Sequence, residues 1–189
     1  YYSEKRITHQ WLQVELLQEL PVRSVLEIGP YLGLVTAMLA SAGYNVTTRD
    51  VDPEAIQGFD VILCCETLEH IHWQKLDLVL RRLAAAGAPW LIISVPYEGL
   101  QFAFELYVNR QRWRRRSHFR KFRFLERFFI RSETEWEAHK WEIGYRGHSL
   151  KAFVEKLEHA GFQIAKREFT SGCRSVFLVC RNRGVPSPS

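Results

Sequence analysis

Two carboxylates and an imidazole are crowded into Glu66-x-x-Glu69-His70. A second imidazole and carboxylate recur in His139-Lys140-Trp141-Glu142. Acids and imidazoles at this density could hold a divalent ion such as Mg²⁺, Mn²⁺ or Zn²⁺, and the set Glu66, Glu69, His70 and His139 is the candidate. A plainer reading competes and is preferred: Glu69 and His70 brace a loop and cap the helix that follows. A different chemistry is suggested by Val25-Leu26-Glu27-Ile28-Gly29-Pro30-Tyr31-Leu32-Gly33. Gly29 lets a backbone approach a ligand closely, and Gly33 lets a helix start tightly against a strand. Glu27 can accept hydrogen bonds from a cationic group. A glycine turn with Tyr31 where a second glycine often stands is weak evidence alone.

These residues need elements to position them. The chain has 189 residues, 47% hydrophobic and 25% charged, enough for one domain with a proper core. Apolar spacing predicts a helix from Ser3 to about Leu20, with Ile7, Trp11, Val14 and Leu17 inward. Strands follow at Ser24–Ile28, Tyr44–Thr48, Phe59–Cys65 and Trp90–Val95, with helices at 34–42 and 73–86 between them. Ser149 caps a last helix, and Phe162–Phe169 with Ser175–Cys180 form a closing strand pair. The alternation predicts a doubly wound, mostly parallel α/β sheet with an antiparallel C-terminal pair. Residues 1–181 read as a single domain, with 101–148 as a lid or substrate insert and 182–189 as a flexible tail; the frayed character already begins at Arg181.

The net charge of +5 is concentrated. Residues 110–131 hold ten Lys/Arg against one acid, leaving sixteen basic and twenty acidic residues elsewhere. Trp113, Phe119, Phe122, Phe124, Phe128 and Phe129 are interleaved with these charges. Such a segment could meet phosphates, an anionic membrane or an acidic substrate. The bland reading, a lid that buries its aromatics and solvates its arginines, is preferred, and helices are expected over 101–131. No apolar run reaches the ~20 residues of a membrane span, and Cys64, Cys65, Cys173 and Cys180 lack metal or disulfide spacing. A cytoplasmic protein with reduced thiols is expected.

Val25–Gly33, the run Phe59-Asp60-Val61-Ile62-Leu63-Cys64-Cys65-Glu66-Thr67-Leu68-Glu69-His70-Ile71 and the strand ending Ser94-Val95-Pro96 together resemble class I S-adenosylmethionine-dependent methyltransferases. The resemblance covers most of residues 20–100 and 149–180. It implies a Rossmann-like methyltransferase fold, S-adenosylmethionine as cofactor, and a substrate insert after the family's fifth strand. It further implies that Glu27, Gly29, Tyr31 and Gly33 line the methionine end of the cofactor, with Cys65 and Glu66 bordering the same pocket. Asp50 and Val51 are placed against the adenosine end. A hydroxyl or amine acceptor needs a general base, and His70, His139 and His148 are the candidates; His9 reads as a helix-surface or lid residue.

One departure from the family is large. Only ten residues, Arg49–Gly58, separate Thr48 from Phe59, too few for the two parallel crossovers the family has there. Either half of the adenine pocket is absent or a stretch of chain is missing between Thr48 and Arg49, and the second is preferred. On that reading Asp50-Val51 is the adenine-edge pair; on the other, Asp50 is the ribose acid. A plain helix cap at Asp52-Pro53-Glu54 is the third possibility.

Three functions compete: a methyltransferase acting on a small, anionic or lipid-like acceptor, which is preferred; a metal-using methyltransferase of RNA ribose 2′-hydroxyls, because the acidic run resembles the enzymes of small-RNA 3′ ends; and a non-catalytic methyltransferase-like binding module.

Overall fold

The structure, a computed structural model, describes residues 4–29, 33–50, 57–97, 102–108, 113–119, 139–170 and 175–186. Its elements in chain order are α1 (Glu4–Gln18), β1 (Ser24–Ile28), α2 (Leu34–Ser41), β2 (Asn45–Arg49), β3 (Val61–Cys65), α3 (Leu76–Ala85), β4 (Trp90–Pro96), β5 (Phe102–Val108), β6 (Trp113–Phe119), α4 (Leu150–His159), β7 (Phe162–Phe169) and β8 (Ser175–Asn182). Six strands form one sheet in the order β2-β1-β3-β4-β8-β7. The first four are parallel, and β8 runs antiparallel to both β4 and β7.

Side chains alternate across this sheet with period two, and each face has its own core. Leu26, Ile28, Ile62, Leu91, Ile93 and Leu178 pack with Leu80 of α3 and with Phe153 and Leu157 of α4. Val25, Val61, Leu63, Ile92 and Phe177 pack against Val14 and Leu17 of α1 and Leu39 of α2. Strands covered on both faces must be apolar throughout, which is why β3 and β4 read as unbroken apolar runs.

Several expectations need correction. Among the described side chains of α1, the buried ones are Gln13, Val14, Leu16 and Leu17, in its second half. Ile7 and Trp11, placed inward from their spacing, are 46% and 50% exposed. The described residues 102–108 and 113–119 are strands, not helices. β5 and β6 form an antiparallel ribbon with Phe102 opposite Phe119 and Val108 opposite Trp113. The helical spacing of Phe102 and Leu106 is also a period-two spacing, and Phe102, Phe104, Leu106 and Val108 alternate through an aromatic-rich segment that favours a strand. Residues 120–138 lie outside the described residues, as do Tyr31, Val51 and Cys173.

The expected break between Thr48 and Arg49 does not interrupt β2. Both belong to β2 and pair with Glu27 and Ile28 of β1. β2 is therefore the edge of the sheet, and Asp50 follows directly from it, where the ribose reading rather than the adenine-edge reading places it. The chain re-enters at Asp60, whose carboxylate Oδ2 accepts the amides of Arg23 and Ser24 at 2.8 Å each, fixing the start of β3 beside β1.

The tail also differs from expectation, because Arg181 and Asn182 belong to β8. Asn182 is buried, donates from Nδ2 to the Ala84 carbonyl at 2.9 Å and accepts the Gly184 amide on Oδ1 at 3.0 Å. Its own amide donates to the Pro89 carbonyl at 2.9 Å. The side chain thus ties the end of α3 to the last strand. Asn182→Ala removes both side-chain hydrogen bonds, leaving the Ala84 carbonyl only the Gly87 amide at 3.1 Å, and is expected to lower the unfolding free energy by about 1–3 kcal/mol in urea titrations.

Candidate functional site at the carboxyl edge of the sheet

The parallel strands β1, β3 and β4 end together, and the chain makes its tightest turns there. Gly29 has φ +68°, a conformation that disfavours any side chain. A Cβ at that position would lie 2.7 Å from Thr67 Oγ1 and 2.9 Å from Thr67 Cγ2. The Thr67 hydroxyl sits 3.0 Å from the Cys65 carbonyl and 3.3 Å from that of Ile28, so it bridges the ends of β1 and β3. Residue 29 is therefore glycine for two reasons, backbone conformation and close approach.

Glu27, 5% exposed, lies on β1 just before this turn. Burial pushes its carboxyl above the usual range, while a hydrogen bond donated by Thr36 Oγ1 to Oε2 opposes the rise. Thr36 lies in the first turn of α2, which Gly33 opens in the left-handed region at φ +64° with no side-chain cap. A groove of about 420 Å³ runs along α2 and β2, lined by Gly33, Thr36, Ala37, Ala40 and Thr48.

Glu66, immediately after β3, has φ +50°, an uncommon conformation for a residue with a Cβ. Its amide donates to the Ser94 carbonyl at 3.0 Å, and Ser94 Oγ donates to Oε1 at 2.9 Å. His9 Nε2 of α1 lies 3.4 Å from the same oxygen, an ion-pair distance without hydrogen-bond alignment, and its ring packs 4.8 Å from Phe177. Burial drives the Glu66 carboxyl up, but His9, Ser94 and Ser175 together outweigh it and hold the group below its ordinary value.

Glu69 is the opposite case. It is fully buried, and neither carboxylate oxygen has a hydrogen-bond partner. Burial first, then the charges of Glu66 and Glu142, push its carboxyl up to about 9. Glu69, His70 and His139 bring one ligand atom each within 4.8 Å of one another. The rings of His70 and His139 meet edge to face at 5.1 Å, and His139 Nδ1 lies 2.8 Å from Glu142 Oε1. Lys140 N donates to the Glu69 carbonyl at 2.7 Å, which docks residues 139–142 on the turn after β3. Trp141, 1% exposed, anchors that docking by donating from Nε1 to the Ile71 carbonyl at 2.9 Å.

The structure thus gathers Glu69, His70 and His139, while Glu66 is turned away to Ser94 and His9. His148 lies apart from that cluster, 4.7 Å from the Trp73 ring. The Cys65 thiol is pushed well above its ordinary value, chiefly by burial, which disfavours the thiolate. Sequence reading missed Thr36, Thr67 and Ser94 and gave His9 no role at the site. Hydroxyl residues at strand ends carry no distinctive pattern, and His9 reaches the site only through the packing of α1 on the sheet.

With this geometry in view, solved structures can be compared. Magnesium protoporphyrin IX methyltransferase from Synechocystis PCC 6803, solved with S-adenosylhomocysteine, matches over 94% of this chain and 84% of its own at TM-score 0.62 and 17% identity. The methyltransferase domain of the bacterial protein CtHen1-C matches over 94% and 98% at TM-score 0.63 and 12% identity. A Burkholderia thailandensis 1,6-didemethyltoxoflavin-N1-methyltransferase matches over 94% and 77% at TM-score 0.56 and 19% identity. No protein-family model and no curated protein sequence matches the chain. At these identities the likeness establishes the fold, which is that of the class I S-adenosylmethionine-dependent methyltransferases.

Two outcomes are expected. Gly29→Val forces a branched side chain into Thr67 at a left-handed position; it should weaken S-adenosylhomocysteine binding at least tenfold by calorimetry and cost about 1–3 kcal/mol of stability. The second concerns Glu69 in chelator-treated protein. Its folded value lies above the unfolded one, so between about pH 4.5 and about 9 the unfolded chain has released a proton that the folded chain retains. Stability must fall across that window, by at most about 1.4 kcal/mol per pH unit from this group. Glu69→Gln should remove this slope, and a parent and variant with parallel pH profiles would refute the assignment.

Proposed function

We infer that this protein is an S-adenosylmethionine-dependent methyltransferase acting on a hydroxyl or amine of a small, anionic acceptor. The observation that carries this reading is the glycine cradle at residue 29, enclosed by Thr67 and flanked by the buried Glu27. A group with backbone-approach needs and a cationic end fits there. Bound S-adenosylmethionine supplies a methyl already activated on a sulfonium sulfur. The chain's own task is then alignment and proton removal.

Gly29 and Gly33 give main-chain access to the methionine end, and an ammonium beside Glu27 offsets the burial that disfavours its charge. The resemblance adds Tyr31, which lies between the two glycines in sequence. Asp50, the residue after β2, is assigned to the ribose hydroxyls with Val51 next in sequence, and Cys65 and Glu66, at and just after the end of β3, are assigned to the border of the pocket. His139 is the preferred general base. Glu142 engages its Nδ1 at 2.8 Å, which gives Nε2 the task of taking the acceptor's proton. His70 lies beside it as the alternative, and His148 is the more remote candidate. The ten Lys/Arg of residues 110–131 favour an anionic acceptor by long-range attraction.

One observation favours a second reading, methylation of an RNA ribose with a divalent ion. A buried carboxylate without a hydrogen-bond partner needs a proton or a cation, and Glu69, His70 and His139 offer a donor set suited to Mg²⁺, Mn²⁺ or Zn²⁺. Such an ion would acidify a ribose diol. Glu66 would join only after leaving Ser94. A third reading, a binding module without turnover, shares the cofactor cradle.

The readings separate in one assay of S-adenosylhomocysteine formation, run with phenolic and catechol acids and with a short RNA bearing a free 3′ diol, each with Mn²⁺ or chelator. Turnover of an acidic small molecule in chelator, reduced at least a hundredfold in His139→Ala, is the expected result. Turnover of RNA only, and only with Mn²⁺, would establish the second reading. Binding of S-adenosylhomocysteine with no turnover of any acceptor would leave a binding module.

A further inference from the structure

We propose that the carboxyl edge of the sheet docks on an anionic lipid surface, so that the mouth of the site faces a membrane. Large apolar side chains exposed among the described residues are Ile7, Trp11, Leu78 and Phe169. Each lies in the part of its element nearest that edge. Phe169 ends β7, and Val176 pairs with it next to the Ser175–Pro96 pair at the end of β4. Leu78 is in the first turn of α3, which follows the carboxyl end of β3. Ile7 and Trp11 occupy the half of α1 from which His9 reaches Glu66. Singly exposed apolar residues need no explanation, but their collection at one end of a sheet does.

The basic segment leaves from and returns to the same edge. Tyr97, next after β4, pairs with Ile143, and the Lys140 amide reaches the Glu69 carbonyl. Between these anchors, the β5–β6 register interleaves apolar and basic positions. Phe102, Phe104, Leu106, Trp113 and Phe119 fall on one face together with Arg115. Arg114, Arg116 and His118 fall on the other together with Tyr107 and Glu105. Aromatic and aliphatic groups beside arginines are what a headgroup boundary takes up, through apolar burial and attraction to anionic lipid together. A polyanion such as RNA would use the arginines and leave Ile7, Trp11 and Phe169 in water, and that imbalance favours the lipid. No helix among the described residues is long and apolar enough to cross a bilayer, and the association proposed is a peripheral one.

The proposal does not depend on which acceptor is methylated, and its test does not use turnover. The full chain is sedimented with phosphatidylcholine vesicles, with and without phosphatidylglycerol, and titrated separately with a single-stranded RNA. The expected result is binding only where phosphatidylglycerol is present, weakened by salt. Ile7→Ser with Trp11→Ser, and separately Arg114→Glu with Arg116→Glu, should each loosen vesicle binding at least tenfold. Both pairs should bind S-adenosylhomocysteine as the parent does, since neither pair belongs to the proposed cofactor cradle around Gly29. Absence of binding to phosphatidylglycerol vesicles, or unchanged vesicle binding in either double variant, overturns the proposal. Tight RNA binding, lost in the arginine pair and untouched in the Ile7/Trp11 pair, would overturn it in favour of a nucleic-acid surface.

Discussion

The ends of β1 and β3 meet because residue 29 has no side chain. Thr67 fills the space that a Cβ would occupy and bridges the terminal carbonyls of both strands. Everything at the carboxyl edge is placed relative to that contact. Glu66 turns through a left-handed conformation one residue before Thr67, and Leu68–His70 wind into a short 3₁₀ turn one residue after it. Glu27 is held one residue upstream of Ile28, whose carbonyl Thr67 touches. A bulkier residue at 29 would not merely block a ligand; it would separate the strands that carry the acids.

Those acids are then forced into unequal environments. Glu66 and Glu69 are three residues apart, but Glu69 is fully buried while the Glu66 side chain stays 34% exposed. Glu66 keeps its charge because His9, Ser94 and Ser175 surround it. Glu69 receives none of these and is pushed toward its neutral form by burial and by Glu66 itself. Paired carboxylates driven apart in this way are a frequent feature of sites that handle protons or cations. Residues 139–142, distant in sequence, complete the arrangement, because the Trp141 side chain is fully enclosed and can be satisfied only against the Ile71 carbonyl.

Much of this was legible in the sequence where local patterns decide. Unbroken apolar runs gave β3 and β4, Ser149 caps α4 by accepting the Ala152 amide at 3.0 Å, and glycines mark the turns. The cluster of Glu69, His70 and His139 was visible as residue types, though not the departure of Glu66 from it, which depends on a backbone angle and on Ser94 of a neighbouring strand. Ile7 and Trp11 had the spacing of a core face, but only the second half of α1 lies on the core. The ribbon was misread because Phe102 and Leu106 satisfy two periods at once. At Thr48-Arg49 the arithmetic stands, since ten residues exclude two crossovers, but the expected break does not fall there, because both residues pair with β1.

That short connection makes the central claim unusually open to test. β2 is the edge strand of the sheet, so on the proposed reading a cofactor laid across the carboxyl edge would meet Gly29, Glu27 and Glu66 at its methionine end, and its adenine would reach the outer side of β2. Binding should then depend on the amino-acid end far more than in a site with a full adenine wall. The most direct measurement is a calorimetric comparison of S-adenosylhomocysteine with adenosine on the unmodified protein. The account predicts one-to-one binding of S-adenosylhomocysteine and at least a hundredfold weaker binding of adenosine. Equal affinity for the two, or no binding of S-adenosylhomocysteine, would contradict it.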